Sequence, residues 1–76
     1  MEGVKLEVLS VLQALEFADY SEEAKRKAIQ KLSSRIEELS REEPSREVLL
    51  EIGFYAYAVE LIKSGRYEMV AKMKKL

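Results

Sequence analysis

The segment from residue 48 to residue 62, VLLEIGFYAYAVELI, constrains the fold more than any other part of this chain. Wound as an α-helix at about 100° per residue, it carries two apolar stripes on roughly opposite sides, where an ordinary surface helix carries one. The first stripe consists of Leu50, Phe54, Tyr57 and Leu61. The second stripe consists of Val48, Ile52, Tyr55, Val59 and Ile62. A helix that is apolar on opposite sides must be covered on both, which predicts a partner in so short a chain.

The length and the missing residue types limit how such a chain can be stabilised. Seventy-six residues make one domain, and a domain of this size buries only ~60% of its unfolded surface. Cysteine and histidine are both absent, so disulfides and the common zinc and haem ligand sets are excluded. Oligomerisation is the remaining way to enlarge the core. We therefore predict a single helical domain over residues 1–76, without cofactor or metal, completed by dimerisation with a second copy or by a heteromeric protein partner.

The composition favours an all-α fold. Threonine and asparagine are absent, while glutamate, lysine, leucine and alanine are abundant. The periodicity predicts a small bundle of three main helices plus a short C-terminal helix, over residues 3–18, 22–40, 45–64 and 66–75. The high charge content and the lack of asparagine and cysteine resemble thermophile proteins.

Several residues mark the predicted helix ends. Ser21 is a candidate N-cap, and Asp19 with Glu22 forms an equally good capping box. Pro44 at the first helical position or Ser45 as N-cap starts the third helix, and Gly65 ends it in a left-handed conformation. One alternative stays open at this point: a heptad register, apolar except at Glu22 and Lys25, runs from residue 4 to residue 39, so the first two helices can also be read as one. The capping signals favour a break and an antiparallel hairpin.

The other helices each present an apolar face for the core. In the first helix this face comprises Val4, Val8, Val11, Leu15 and Ala18, with Leu12 at its edge and a weaker second face of Leu6, Leu9 and Phe17. In the second helix it comprises Ala28, Ile29, Leu32, Ile36 and Leu39. In the last helix it comprises Tyr67, Val70 and Met73.

Catalysis and membrane insertion find little support in these residues. Without histidine or cysteine, the usual general base and the strongest nucleophile are missing, so we predict a non-enzymatic protein. Glu51 and Glu60 interrupt an apolar run of about 15 residues, whereas a membrane span needs ~20. The N-terminus lacks the pattern of a signal peptide, which predicts a cytoplasmic location without membrane contact.

Two functions remain. The first is a self-associating protein–protein interaction module, in which the first stripe packs on the chain's own bundle and the second, Val48, Ile52, Tyr55, Val59 and Ile62, meets the partner. Gly53 and Ala56 lie between the stripes and permit a helix to approach closely. The alternative is nucleic-acid binding by the polar side of the second helix. Its candidate contacts are Lys25, Arg26, Lys27, Lys31 and Arg35. These bases are widely spread and the sequence pI is about 5.5, which makes nucleic acid the less favoured partner.

Overall fold

A computed structural model describes the backbone of residues 2–73 and the side chains of residues 3–72. Within this range the chain forms four α-helices: α1 (Glu2–Phe17), α2 (Glu22–Ser40), α3 (Arg46–Lys63) and α4 (Tyr67–Met73). The predicted all-α bundle of three main helices and a short last one is confirmed, with α2 at its predicted bounds. The Met73 side chain and residues 74–75, which belong to the predicted last helix, lie outside the described residues.

The break between α1 and α2 is confirmed, and it is built from two residues with left-handed backbone. Asp19 has a φ of 55° and Tyr20 a φ of 54°. The Tyr20 N–H donates to the Leu15 carbonyl at 2.8 Å, and the Asp19 N–H donates to the Glu16 carbonyl at 3.0 Å. This pair of bonds is the Schellman pattern, which closes the last turn of α1 and turns the chain away from its axis.

Serine side chains start the next two long helices. The Ser21 hydroxyl accepts a hydrogen bond from the Ala24 N–H at 3.2 Å, and the Ser45 hydroxyl accepts one from the Val48 N–H at 3.1 Å. Each bond satisfies a backbone donor that has no partner inside its own helix. Both serines are therefore N-caps: of the alternatives that the sequence leaves open, Ser21 and not Asp19 caps α2, and α3 starts after Ser45 and not at Pro44.

The turn from α3 to α4 uses the predicted glycine. Gly65 has a φ of 76°, its N–H donates to the Ile62 carbonyl at 3.1 Å, and the following Arg66 N–H donates to the Leu61 carbonyl at 2.8 Å. This is a second Schellman turn, here with the residue type that adopts it most easily. It brings Tyr67 at the start of α4 against Tyr20 of the α1–α2 turn, with ring centroids 4.4 Å apart.

The core receives side chains from all four helices, and α2 and α3 form the most extensive helix pair. Ala18, which the sequence places on the inner face of the first helix, is exposed because α1 ends at Phe17 and the chain turns there. Leu12, expected at the edge, is buried. The buried residues are Val4, Val8, Val11, Leu12, Leu15, Ala28, Leu32, Leu39, Tyr55, Ala58, Val59, Leu61, Ile62 and Val70.

The two stripes of α3 are oriented differently from our expectation. Tyr55, Val59 and Ile62 of the second stripe are buried in the chain's own core, and Val48 and Ile52 are half-buried against it. In this arrangement the second stripe is not free to meet a partner. Its β-branched and aromatic side chains instead fill the space beside α1, α2 and α4. The open side of α3 carries Leu50 and Tyr57 of the first stripe, whereas Phe54 is half-buried and Leu61 is buried.

Candidate interaction surface

One side of α3 is exposed and predominantly apolar. Leu49, Leu50 and Tyr57 expose 62%, 55% and 49% of their surface. Gly53 and Ala56 lie between them and are exposed as well. No atom of a neighbouring described residue lies within 4 Å of the position that a Cβ would take on Gly53. We call these five residues the outer face; at about 100° per residue they share one side of the helix.

Opposite charges stand at the two ends of the outer face. Arg46 begins α3, and Glu60 lies one turn before its end; both are exposed. Each is seven residues from Gly53, so both fall close to the angular centre of the outer face. The apolar centre is therefore framed by a base at one end and an acid at the other.

A polar cluster on the opposite side fixes how α3 is rotated. Tyr55 is only 1% exposed, and its hydroxyl donates to the Glu7 carboxylate of α1 at 2.9 Å. Arg35 of α2 donates through Nε to the same carboxylate oxygen at 3.2 Å and through a terminal nitrogen to Glu38 at 3.0 Å. Three helices thus meet at one carboxylate. Because these bonds hold Tyr55 inward, they also hold the outer face outward.

The electrostatics of this cluster make it a structural group. Burial of the Tyr55 ring raises the pKa of its hydroxyl; the nearby Arg35 acts against this rise, and the hydrogen bond to Glu7 adds to it. The nearby Tyr55 hydroxyl, together with the Glu7 and Glu38 carboxylates, raises the pKa of Arg35. The tyrosine therefore stays neutral and the arginine stays charged across the physiological range. Neither group is suited to take up or release a proton in catalysis.

The candidate nucleic-acid contacts are dispersed by the fold. Arg35 is committed to Glu7 and Glu38, and Lys27 lies 3.5 Å from the Glu23 carboxylate. Lys27 and Lys31 lie along the side of α2 that faces α1, whereas Lys25 and Arg26 border a different depression with Glu22. The five basic residues do not form one continuous surface, which is what backbone phosphates would require.

A groove of about 390 Å³ separates parts of α1 and α2. Its walls are mostly small side chains, which leave a gap where larger ones would interdigitate. Consistent with this gap, the contact between α1 and α2 is less extensive than the contact between α3 and α2. Phe17, at the end of α1, is 96% exposed. The residues lining the groove are Ser10, Val11, Ala14, Ala18, Ser21, Glu23, Ala24, Lys27, Ala28 and Lys31.

Residues 2–73 offer neither a metal cluster nor a membrane span. No group of three or more acidic side chains lies close enough together in this range to hold a metal ion. None of the helices described is both long enough and apolar enough to cross a bilayer. Comparison of the chain with protein-family models, curated proteins and solved structures gives no match.

The sequence patterns did not single out Leu49, which belongs to neither predicted stripe and is the most exposed large side chain of the outer face. The positions of the charged residues in α3 do indicate which side of the helix reaches water. Arg46 and Glu60 fall on the same side of α3 as Leu49, whereas no charged residue falls within the arc spanned by the second stripe. Charged side chains that interrupt an apolar side indicate that this side reaches water.

Proposed function

We propose that this chain is a non-enzymatic protein–protein interaction module that associates with a second copy of itself through the outer face of α3. The observation that carries the proposal is the exposure of Leu49, Leu50 and Tyr57 together on one side of one helix. Contiguous exposed apolar surface of this kind marks interaction sites on small proteins, because leaving it in water favours aggregation. The charge balance of the chain, with a net charge of −1, gives little repulsion against a second copy.

The exposed apolar residues of α1 support a partner site less well. Leu6 and Phe17 are both strongly exposed. However, they are about three turns apart, and the polar, exposed Ser10 and Gln13 lie between them on the same side of the helix. On the outer face of α3, the residues between the large apolar side chains are Gly53 and Ala56, so no polar side chain separates them. The continuous apolar surface therefore belongs to α3.

The size of the outer face sets the expected affinity. A helix of 18 residues is about 27 Å long, and a strip one helix wide is smaller than the ~800 Å² per partner of a standard interface. We therefore expect reversible association with a dissociation constant in the micromolar range. A tight, obligate dimer would need the neighbouring helices to contribute as well.

Sedimentation equilibrium over micromolar to millimolar concentrations tests the proposal, with two matched variants. Leu49→Glu places a charge in the outer face, and Leu6→Glu places one at an equally exposed leucine of α1, since both leucines are 62% exposed. We expect the unchanged chain and Leu6→Glu to self-associate alike, and Leu49→Glu to stay monomeric. Circular dichroism should give the same helix content for all three.

Two results would count against the proposal. A wild-type chain that stays monomeric up to millimolar concentration has no self-association to explain. Equal weakening by Leu49→Glu and Leu6→Glu would indicate that general hydrophobicity, and not the outer face, drives association.

A further inference from the structure

We infer that the two copies pack their α3 helices antiparallel, across a two-fold axis at Gly53. This inference rests on the proposed self-association and adds its geometry. In such a pair, each residue of one helix faces the residue that lies equally far on the other side of Gly53 in the second copy. A two-fold arrangement of this kind requires a surface that is complementary to itself. The outer face of α3 meets that requirement position by position.

The apolar residues of the outer face match one another across this axis. Leu49 and Tyr57 are each four residues from Gly53, so Leu49 of one copy faces Tyr57 of the second, and the reverse contact forms at the other end. Leu50 and Ala56 are each three residues away, which places a large side chain against a small one. Large residues facing small ones allow the side chains of two helices to interdigitate.

The charged residues match as well. Arg46 and Glu60 are each seven residues from Gly53, so both ends of the crossing bring an arginine to a glutamate of the second copy. Both side chains are exposed, and neither of them takes part in the ion pairs formed within the described residues. Parallel packing would instead place Arg46 against Arg46 and Glu60 against Glu60, which is repulsive.

Gly53 fits the position on the axis. Glycine inside a helix lowers its stability relative to alanine, and nothing in the described fold packs against this position. The chain's own fold therefore gives no reason for a glycine here. At a two-fold crossing, the missing side chain lets the two backbones approach closely, as small residues do at helix–helix contacts.

Charge reversal tests the antiparallel register. In this register Arg46→Glu alone sets two carboxylates against each other at both ends of the crossing, and Glu60→Arg alone sets two guanidinium groups against each other. Each single variant should therefore self-associate about tenfold more weakly or worse. An equimolar mixture of the two variants restores opposite charges at both ends, because one chain is acidic at both positions and the other is basic at both. We expect this mixture to form heterodimers, which native mass spectrometry separates by mass, and the double variant to regain homodimers.

The outcomes separate the register from the proposed function. If the wild type is dimeric but the two single variants associate no better when mixed than alone, the antiparallel register is wrong. Self-association would still be supported in that case. Parallel packing would give a different result: Arg46→Glu would bind the unchanged chain more tightly than the unchanged chain binds itself. That result would also overturn the inference. A monomeric wild type removes both proposals.

A glycine variant tests the position of the axis independently of charge. Gly53→Ala should raise the stability of the isolated chain and weaken self-association several-fold, because the two added methyl groups meet on the axis. A merely structural role for Gly53 would move only the first of these measurements. Unchanged or tighter association by this variant would overturn the close crossing at Gly53.

Discussion

Gly65 and Gly53 have opposite effects on the stability of the folded chain. Gly65 has a φ of 76°, a conformation that L-residues adopt only with strain, and it completes the turn between α3 and α4. Gly53 lies inside α3 with open space where a side chain would be. The same residue type is therefore favourable for stability at one position and unfavourable at the other.

The two glycine-to-alanine variants should change stability in opposite directions. Gly65→Ala should lower the free energy of unfolding by about 1 kcal/mol, since the new Cβ is strained at positive φ. Gly53→Ala should raise it by about 0.5–1 kcal/mol through helix propensity. Urea unfolding at several protein concentrations, which separates the contribution of self-association, measures both. Changes of the same sign would contradict the assignment.

Tyr55 carries the second residue-scale prediction. Tyr55→Phe removes the hydrogen bond to the partly buried Glu7 carboxylate and should lower the free energy of unfolding by about 1–2 kcal/mol at neutral pH. Tyr57→Phe is the matched control: it removes a hydroxyl from a half-exposed ring and should change stability by less than about 0.5 kcal/mol. Equal losses in urea unfolding would show that the Glu7 contact adds no stability.

The same tyrosine predicts a pH dependence. The folded state raises the pKa of Tyr55 above that of the unfolded chain. Its contribution to stability is therefore complete below about pH 10 and is lost as the pH rises through the folded-state value. The difference in unfolding free energy between the wild type and Tyr55→Phe should shrink as the pH rises from about 9 to about 12. A constant difference over that range would show that Tyr55 does not ionise more easily on unfolding.

Among the elements, the helix ends follow from local chemistry. α2 and α3 each start at a serine whose hydroxyl accepts a backbone hydrogen bond. Schellman bonds close the turns after α1 and after α3. These interactions join residues that are close together along the chain, so they can form before any tertiary contact is made.

Cap removal should show this local origin. Ser45→Ala removes the acceptor for the Val48 N–H and should lower the free energy of unfolding by about 1 kcal/mol. Ser34→Ala, at an exposed position inside α2 without a capping role, should be neutral or slightly stabilising, because alanine is the better helix former. Thermal unfolding of both variants provides the measurement. A loss in Ser34→Ala as large as that in Ser45→Ala would refute the capping role.

Over the whole molecule, the fold separates a core side from an exposed side of α3. Val59 is 8% exposed and packs in the core, whereas Leu49 is 62% exposed on the outer face. A glutamate therefore has different consequences on the two sides. Buried without a partner, a carboxylate disrupts the core; exposed, it disturbs only contacts with another chain.

The variants Val59→Glu and Leu49→Glu should distinguish these two sides. Val59→Glu should lose cooperative thermal unfolding and much of its helix content even in dilute solution. Leu49→Glu should keep both and lose only self-association. The two are measured by circular dichroism and by sedimentation. A well-folded Val59→Glu that is merely monomeric would restore the second stripe as the partner surface.

Local signals in the sequence were enough to specify the helices of this protein. Apolar periodicity, two serine caps, one proline and one glycine predicted four helices, with ends within about two residues of those observed wherever the structure describes them. The inner face of α1 was also readable, because its apolar residues lie mainly on one side. Apolar periodicity left open which side of α3 faces inward, although Arg46 and Glu60 mark the side that reaches water; the rotation of the helix was fixed by tertiary packing. Both stripes are apolar enough to be buried, so periodicity does not separate them. The choice depends on Glu7, Arg35 and Tyr55, which come from three different helices and meet only when those helices pack.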